Sequence, residues 1–133
     1  MKSMFLAMAL IATGVHAAEE AQNNPCDAVE DDVQTVECSA YGRTTAEQLL
    51  NENFQALTER LQTAYGKTPG QLTEVTAKLK ASQQQWLKTR DDDCDVEVFP
   101  AKTGSKAFTM AQNDCVARMS DERSEFLESI SQE

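Results

Sequence analysis

Between Arg90 and Phe99 the chain reads RDDDCDVEVF, which gathers the carboxylates of Asp91, Asp92, Asp93, Asp95 and Glu97 around a half-cystine, Cys94. Carboxylates crowded in this way can hold a hard cation, share a proton as a catalytic pair, or attract a basic partner. The first use calls for Asp-x-Asp-x-Asp-Gly spacing with a distant glutamate, a pattern this run lacks. The second, the two-carboxylate chemistry of glycoside hydrolysis, needs no histidine but requires one acid to be set in an apolar pocket. No segment of the sequence pairs a carboxylate with such a pocket. The third use is left, beside plain solvation of an acidic face, and Asp91, Asp92, Asp93, Asp95, Glu97 and Phe99 form the candidate partner-binding set.

Histidine prunes the remaining chemistry. The sole histidine is His16, inside a segment read below as a removable signal. Without it the chain cannot run a Ser-His or Cys-His nucleophile pair, nor build the common His-containing zinc sites. The four cysteines, Cys26, Cys38, Cys94 and Cys115, lack the paired Cys-x-x-Cys hooks of a zinc ribbon. No catalytic residue, metal site or cofactor is expected, and the protein reads as a non-enzyme.

The N-terminus explains the cysteines. Residues 1–17, MKSMFLAMALIATGVHA, carry one Lys, an apolar run from Met4 to Val15 and small residues at Ala17 and Ala18. The run falls short of the roughly 20 apolar residues a membrane-spanning helix needs, so it reads as a secretory signal cleaved after Ala17 or Ala18. No Cys follows closely enough for lipid attachment. The expected product is periplasmic or secreted, is not inserted in the membrane, and comprises residues 18–133 as one domain with one modest core. In an oxidising compartment, an even cysteine count in so small a domain reads as two disulfides. Losing Lys2 with the signal takes the formal charge from −10 to −11. Nucleic acid and anionic membrane surfaces are therefore poor partners, while a basic protein is drawn in at long range.

The elements that must position these groups are helical. Ala18 to Pro25 shows no periodicity and reads as a frayed lead-in. Val29, Val33, Val36 and Ala40 recur at helical spacing, which predicts a short helix ending near Gly42. Its acidic face, Glu30, Asp31, Asp32 and Glu37, reads first as a solvated one. Thr44 and Glu47 fit a capping box that opens a second helix, with a stripe of Leu50, Phe54, Leu57, Leu61 and Ala64 and a stop at Gly66. Thr68, Pro69 and Gln71 announce a third helix turning back antiparallel. Its stripe is Leu72, Val75, Leu79, Ser82 and Trp86. Asp95 to Gly104 reads as a loop, with one extended piece against the core. Phe108, Ala111, Cys115, Met119, Phe126 and Ile130 mark a last helix reaching about Ser129. The fold class is an all-α, small antiparallel helical bundle, three long helices plus one short N-terminal helix, with two disulfides.

Four cysteines permit three pairings. A Cys94–Cys115 bridge would staple the intervening loop, worth on the order of 3 kcal/mol by loop entropy. Cys26 and Cys38 cannot bond across an unbroken helix, since twelve steps of about 1.5 Å far exceed the roughly 7 Å allowed between Cα atoms. Their pairing, the favoured one, requires the helix to start late, near Asp31.

Cys26 and Cys38 with eleven residues between, AEQLLNENFQALTERL (residues 46–61), LKASQQQWLKTRDDDC (residues 79–94), and Cys115 followed by Arg123 and Leu127 together resemble the LprI-like lysozyme-inhibitor domain. Leu50, Asn51 and Phe54 take the places of its Leu-Asn-x-x-Tyr run, and Gln83, Trp86, Arg90, Asp91 and Cys94 match its Gln-x-x-Trp-x-x-x-Arg-Asp-x-x-Cys helix. The chain departs from the family in having Phe54 for the usual Tyr and Ala46 or Glu47 where Asp is common. The resemblance implies a secreted helical domain and, through its name, inhibition of lysozyme. It assigns Leu50, Asn51, Phe54, Gln83, Trp86, Arg90 and Asp91 mainly to the fold, with Trp86 a core anchor and Arg90 tying neighbouring helices. The functional expectation is an exported binding protein acting on a basic c-type lysozyme. A periplasmic envelope-stress adaptor that binds another protein is the rival.

Overall fold

The computed structural model describes residues 24–132, so the expected signal and most of the Ala18–Pro25 lead-in lie outside the described residues. Three helices follow one another: α1 (Asp32–Tyr65), α2 (Pro69–Val98) and α3 (Lys106–Ser129). No strand occurs among the described residues, in keeping with the all-α expectation.

The helix count differs from the four expected. The segment read as a separate short helix and the helix announced at Thr44 are one 34-residue rod. Gly42 lies inside it, because a glycine costs a helix about 1 kcal/mol without forbidding it. Both sides of Gly42 are held from outside: Cys38 is bridged to Cys26, while Ser39 and Arg43 bond Asn113 of α3. The capping box forms earlier, at Asp31. Its carboxylate accepts from the Gln34 amide at 2.8 Å, and the Gln34 side chain accepts from the Asp31 amide at 3.2 Å. This late start lets Cys26 fold back on Cys38, with 4.7 Å between Cα atoms.

Gly66 ends α1 as expected, since a Cβ there would sit 2.6 Å from the Gln62 carbonyl oxygen. Thr68 and Pro69 start α2 as expected, but the Thr68 hydroxyl donates to the Tyr65 carbonyl at 3.2 Å, so no box with Gln71 forms. At its far end α2 runs through Cys94 to Val98, where the sequence suggested a loop from Asp95. Arg90, Cys94 and Val98 succeed one another at i, i+4, i+8 and are all buried. Unwinding at Cys94 would take Val98 off that inner face. The loop is confined to residues 99–105, with no extended piece, and Gly104 supplies its left-handed residue at φ 80°. Ser105 then caps α3, its hydroxyl accepting from the Phe108 amide at 3.1 Å.

Asn113 meets Ser39 and Arg43 near the start of both helices, and Arg60 meets Leu127 and Ile130 near their ends, so α1 and α3 run parallel. They make the most intimate helix pair, and α2 lies antiparallel against both. One core layer joins Leu50, Leu57, Leu61 and Leu127, with Phe54, Val75, Leu79 and Trp86 packed on it. A second surrounds the buried Cys94–Cys115 disulfide with Val116 and Met119. The inner face of α3 differs from the expected stripe: Phe126 is exposed, and Ser120, Ser124 and Leu127 are buried. Small side chains at Ser120 and Ser124 leave room for α1 to approach closely, a role no hydrophobic pattern can announce.

Candidate functional site

Both disulfides lie at the end of the bundle where α1 starts, α2 stops and α3 starts. Cys38 is followed by Ser39, whose hydroxyl accepts from the Asn113 amide at 3.1 Å. Asn113 is followed two residues on by Cys115, bridged to Cys94 of α2 at 5.7 Å between Cα atoms. All three helices and the segment around Cys26 are thus pinned at one level.

Behind this end sits a buried cation. Arg90 is 6% exposed, and its guanidinium donates to Glu47 at 3.1 Å, to Asp91 at 2.9 Å and to Ser120 at 3.4 Å. It also lies 5.5 Å from the Trp86 ring centroid, within cation–π range. Arg123 of α3 approaches the same ring at 5.6 Å and Phe126 at 5.0 Å, while donating to Gln83 and Ser82 at 3.0 Å each. Burial pushes the Arg123 guanidinium below its ordinary value. Arg90 therefore links α2 to α1 through Glu47 and to α3 through Ser120. Glu47, Ser120 and Arg123 were missing from the expected site, because each is a surface-type residue whose partners lie on another helix.

The motif residues gather in space. Leu50, Asn51, Phe54, Gln83 and Arg90 line one groove between α1 and α2, together with Glu47 and Leu87. Trp86 is partly buried on the core. Leu50 is buried, Asn51 exposed and Phe54 half-buried.

The acidic run is divided by its partners. Asp91 is taken by Arg90 at 2.8 Å and Asp92 by Lys88 at 2.6 Å, and Glu97 pairs with Arg118 of α3. The hydrogen bond and charge of Asp92 raise the Lys88 ammonium above its ordinary value, and those of Glu97 do the same for Arg118. Asp93 and Asp95 have no ion pair among the described residues. At this end of α2 two apolar side chains face outward: Val96 is 75% exposed and Phe99, the residue that caps the helix, 83%. Phe99 was expected in this set; Val96 was not, since it fell in the Asp95–Gly104 segment read as a loop with one extended piece against the core. No group of three or more His, Cys, Asp or Glu able to hold a metal ion occurs among the described residues. No described helix is long and apolar enough to cross a membrane.

Residues 26–127 match the family model described as lysozyme inhibitor LprI. The chain belongs to the LprI family. The two cystines, Trp86, Arg90, Asp91 and the groove-lining residues all lie within the matched span. A solved structure of a DUF1311 family protein from Pseudomonas putida KT2440, a member of the same family, is 35% identical, with a TM-score of 0.70. The alignment covers 80% of this chain and 99% of that one. None of the curated proteins compared matches the chain.

Proposed function

We propose that the chain is an exported binding protein that inhibits a basic c-type lysozyme, with residues 1–17 a cleaved signal and residues 18–133 one LprI domain. The observation that carries this reading is the match to the lysozyme-inhibitor family over residues 26–127. The two disulfides suit an oxidising compartment. The net charge suits a cationic target, because a strongly charged surface raises the encounter rate with an oppositely charged protein. The acidic, disulfide-pinned end, with Asp91, Asp92, Asp93, Asp95, Glu97 and Phe99, is the surface placed against the enzyme, where it obstructs access to the cleft. Asp93 and Asp95 supply most of the attraction from this turn, since the other three carboxylates are already paired.

The deciding assay follows the clearing of a bacterial cell-wall suspension by a basic c-type lysozyme at low salt, with purified residues 18–133 added in increasing amounts. Clearing slows in proportion to added protein and recovers as salt is raised. Undiminished clearing at large molar excess refutes the reading.

A further inference from the structure

Val96, in the last turn of α2, and Phe99, the residue that caps it, stand one helical turn apart on the outer side, beside Asp92 and Asp95. They are more exposed than any other large apolar side chain among the described residues. The backbone that carries them is fixed. Cys94 and Val98, on the inner side of the same two turns, are buried. The Cys94–Cys115 bridge and the Glu97–Arg118 ion pair fasten this segment to α3. The Phe99 amide donates to the Val96 carbonyl at 3.3 Å, and the Ala101 amide to the Val98 carbonyl at 2.9 Å. Phe99 therefore takes no part in the core, yet it is held on a scaffold that need not reorganise to bind.

We propose that Val96 and Phe99 form a preformed apolar wedge that seats in a concave site of a cationic protein, with Asp93 and Asp95 as its guiding charges. The proposal rests on the inhibitor reading and deepens it, by separating the group that holds the partner from the groups that attract it. Charge decides the occupant. A second copy of this chain would bring the same excess of acidic side chains and be repelled, and so would an anionic membrane surface. A cationic partner meets the two unpaired carboxylates first and then covers the wedge. Such an aromatic anchor, ringed by weaker contacts, is how protein interfaces concentrate their affinity. Because the scaffold is rigid, little of that affinity is spent on ordering it.

The wedge and the charges leave different kinetic signatures. Affinity differences within one interface lie mainly in the dissociation rate, whereas long-range charge acts on the association rate. The test measures association and dissociation of the mature chain with a basic c-type lysozyme at two salt concentrations. Phe99→Ala, alone and with Val96→Ser, raises the dissociation rate by roughly 10-fold or more and changes the association rate by less than about 3-fold. Asp93→Asn with Asp95→Asn does the reverse, slowing association and flattening its salt dependence. Because all four side chains are exposed, urea midpoints equal to wild type confirm that the variants fold. If wild type binds and inhibits while the Phe99 and Val96 variants dissociate no faster, the wedge is wrong and the inhibitor reading stands. If wild type neither binds nor inhibits, both fall. A dimer in sedimentation that Phe99→Ala abolishes overturns the wedge in favour of contact between copies.

Discussion

Replacing Arg90 with alanine tests what holds the three helices in register. The guanidinium is buried, and its bonds to Glu47, Asp91 and Ser120 reach both other helices or stiffen its own. Breaking a fully buried ion pair by removing one partner costs about 3 to 5 kcal/mol, mostly from the charge left behind. Here the orphaned carboxylates are not fully buried: the Glu47 side chain is 36% exposed and that of Asp91 60%. Both can rehydrate, which brings the expected loss down to ~2 to 3 kcal/mol once the Trp86 contact and the packed arginine stem are counted. With a urea dependence of roughly 1 to 3 kcal/mol per molar for a domain of this size, the midpoint falls by about 1 to 2 M. Trp86 is the only tryptophan and touches both arginines, so its fluorescence reports the transition directly. Glu47→Gln, which keeps an acceptor but removes the charge, loses only about 1 kcal/mol. If Arg90→Ala unfolds within ~0.5 kcal/mol of wild type, the cation is ornamental to stability and helix register rests on the leucine layer alone.

Three further outcomes check other parts of the fold. Gly42→Ala stabilises by ~0.5 to 1 kcal/mol in urea melts, because a Cβ there meets nothing within 4 Å and the backbone entropy of glycine is removed from an uninterrupted helix; a loss of stability would mean that the helix breaks there. Arg60→Ala removes donors to the Leu127 and Ile130 carbonyls at 2.9 and 3.2 Å, costing about 1 to 2 kcal/mol and accelerating amide hydrogen exchange in the last turn of α3 while leaving its first turns protected. Limited reduction followed by alkylation and mass mapping labels Cys26 and Cys38 before Cys94 and Cys115, since Cys26 is exposed and the second pair is buried; labelling in the opposite order would contradict the assigned burial.

Much of this was legible in the sequence, where it rested on local chemistry. The all-α class and the turn at Gly66 to Pro69 follow from periodicity and helix-end residues, and the two cystine pairs are the favoured of three possible pairings. The expected break at Gly42 and the capping box at Thr44 fail because both are local preferences worth about 1 kcal/mol. Contacts from α3 outweigh them, and those contacts arise some 70 residues away. Separations of 30 to 43 residues hide Glu47, Ser120 and Arg123 from the expected site in the same way. The run after Cys94 misled in the other direction: Val96, Val98 and Phe99 ahead of Pro100 and Gly104 break the helical pattern and read as a loop, yet the buried Val98 carries the helix on for another turn. Phe126, read as core, stands outside because Leu127 takes the inner position and Arg123 stacks on the exposed ring.

The parallel pairing of α1 with α3 sets the order of folding. Helical domains usually fold fast because sequence neighbours pack first and few long loops must close. Here the hairpin neighbours α1 and α2 meet only sparingly, and the principal interface joins residues about 70 positions apart. Helices α1 and α2 thus lack a stable core until α3 arrives, and Cys94 waits for Cys115 in the same way. Refolding should be slow for an all-helical domain, and a chain truncated before Lys106 should remain without cooperative structure. Cysteine pairing then depends on the last helix to be made, so oxidation that outruns its arrival traps the half-cystines in the wrong couples.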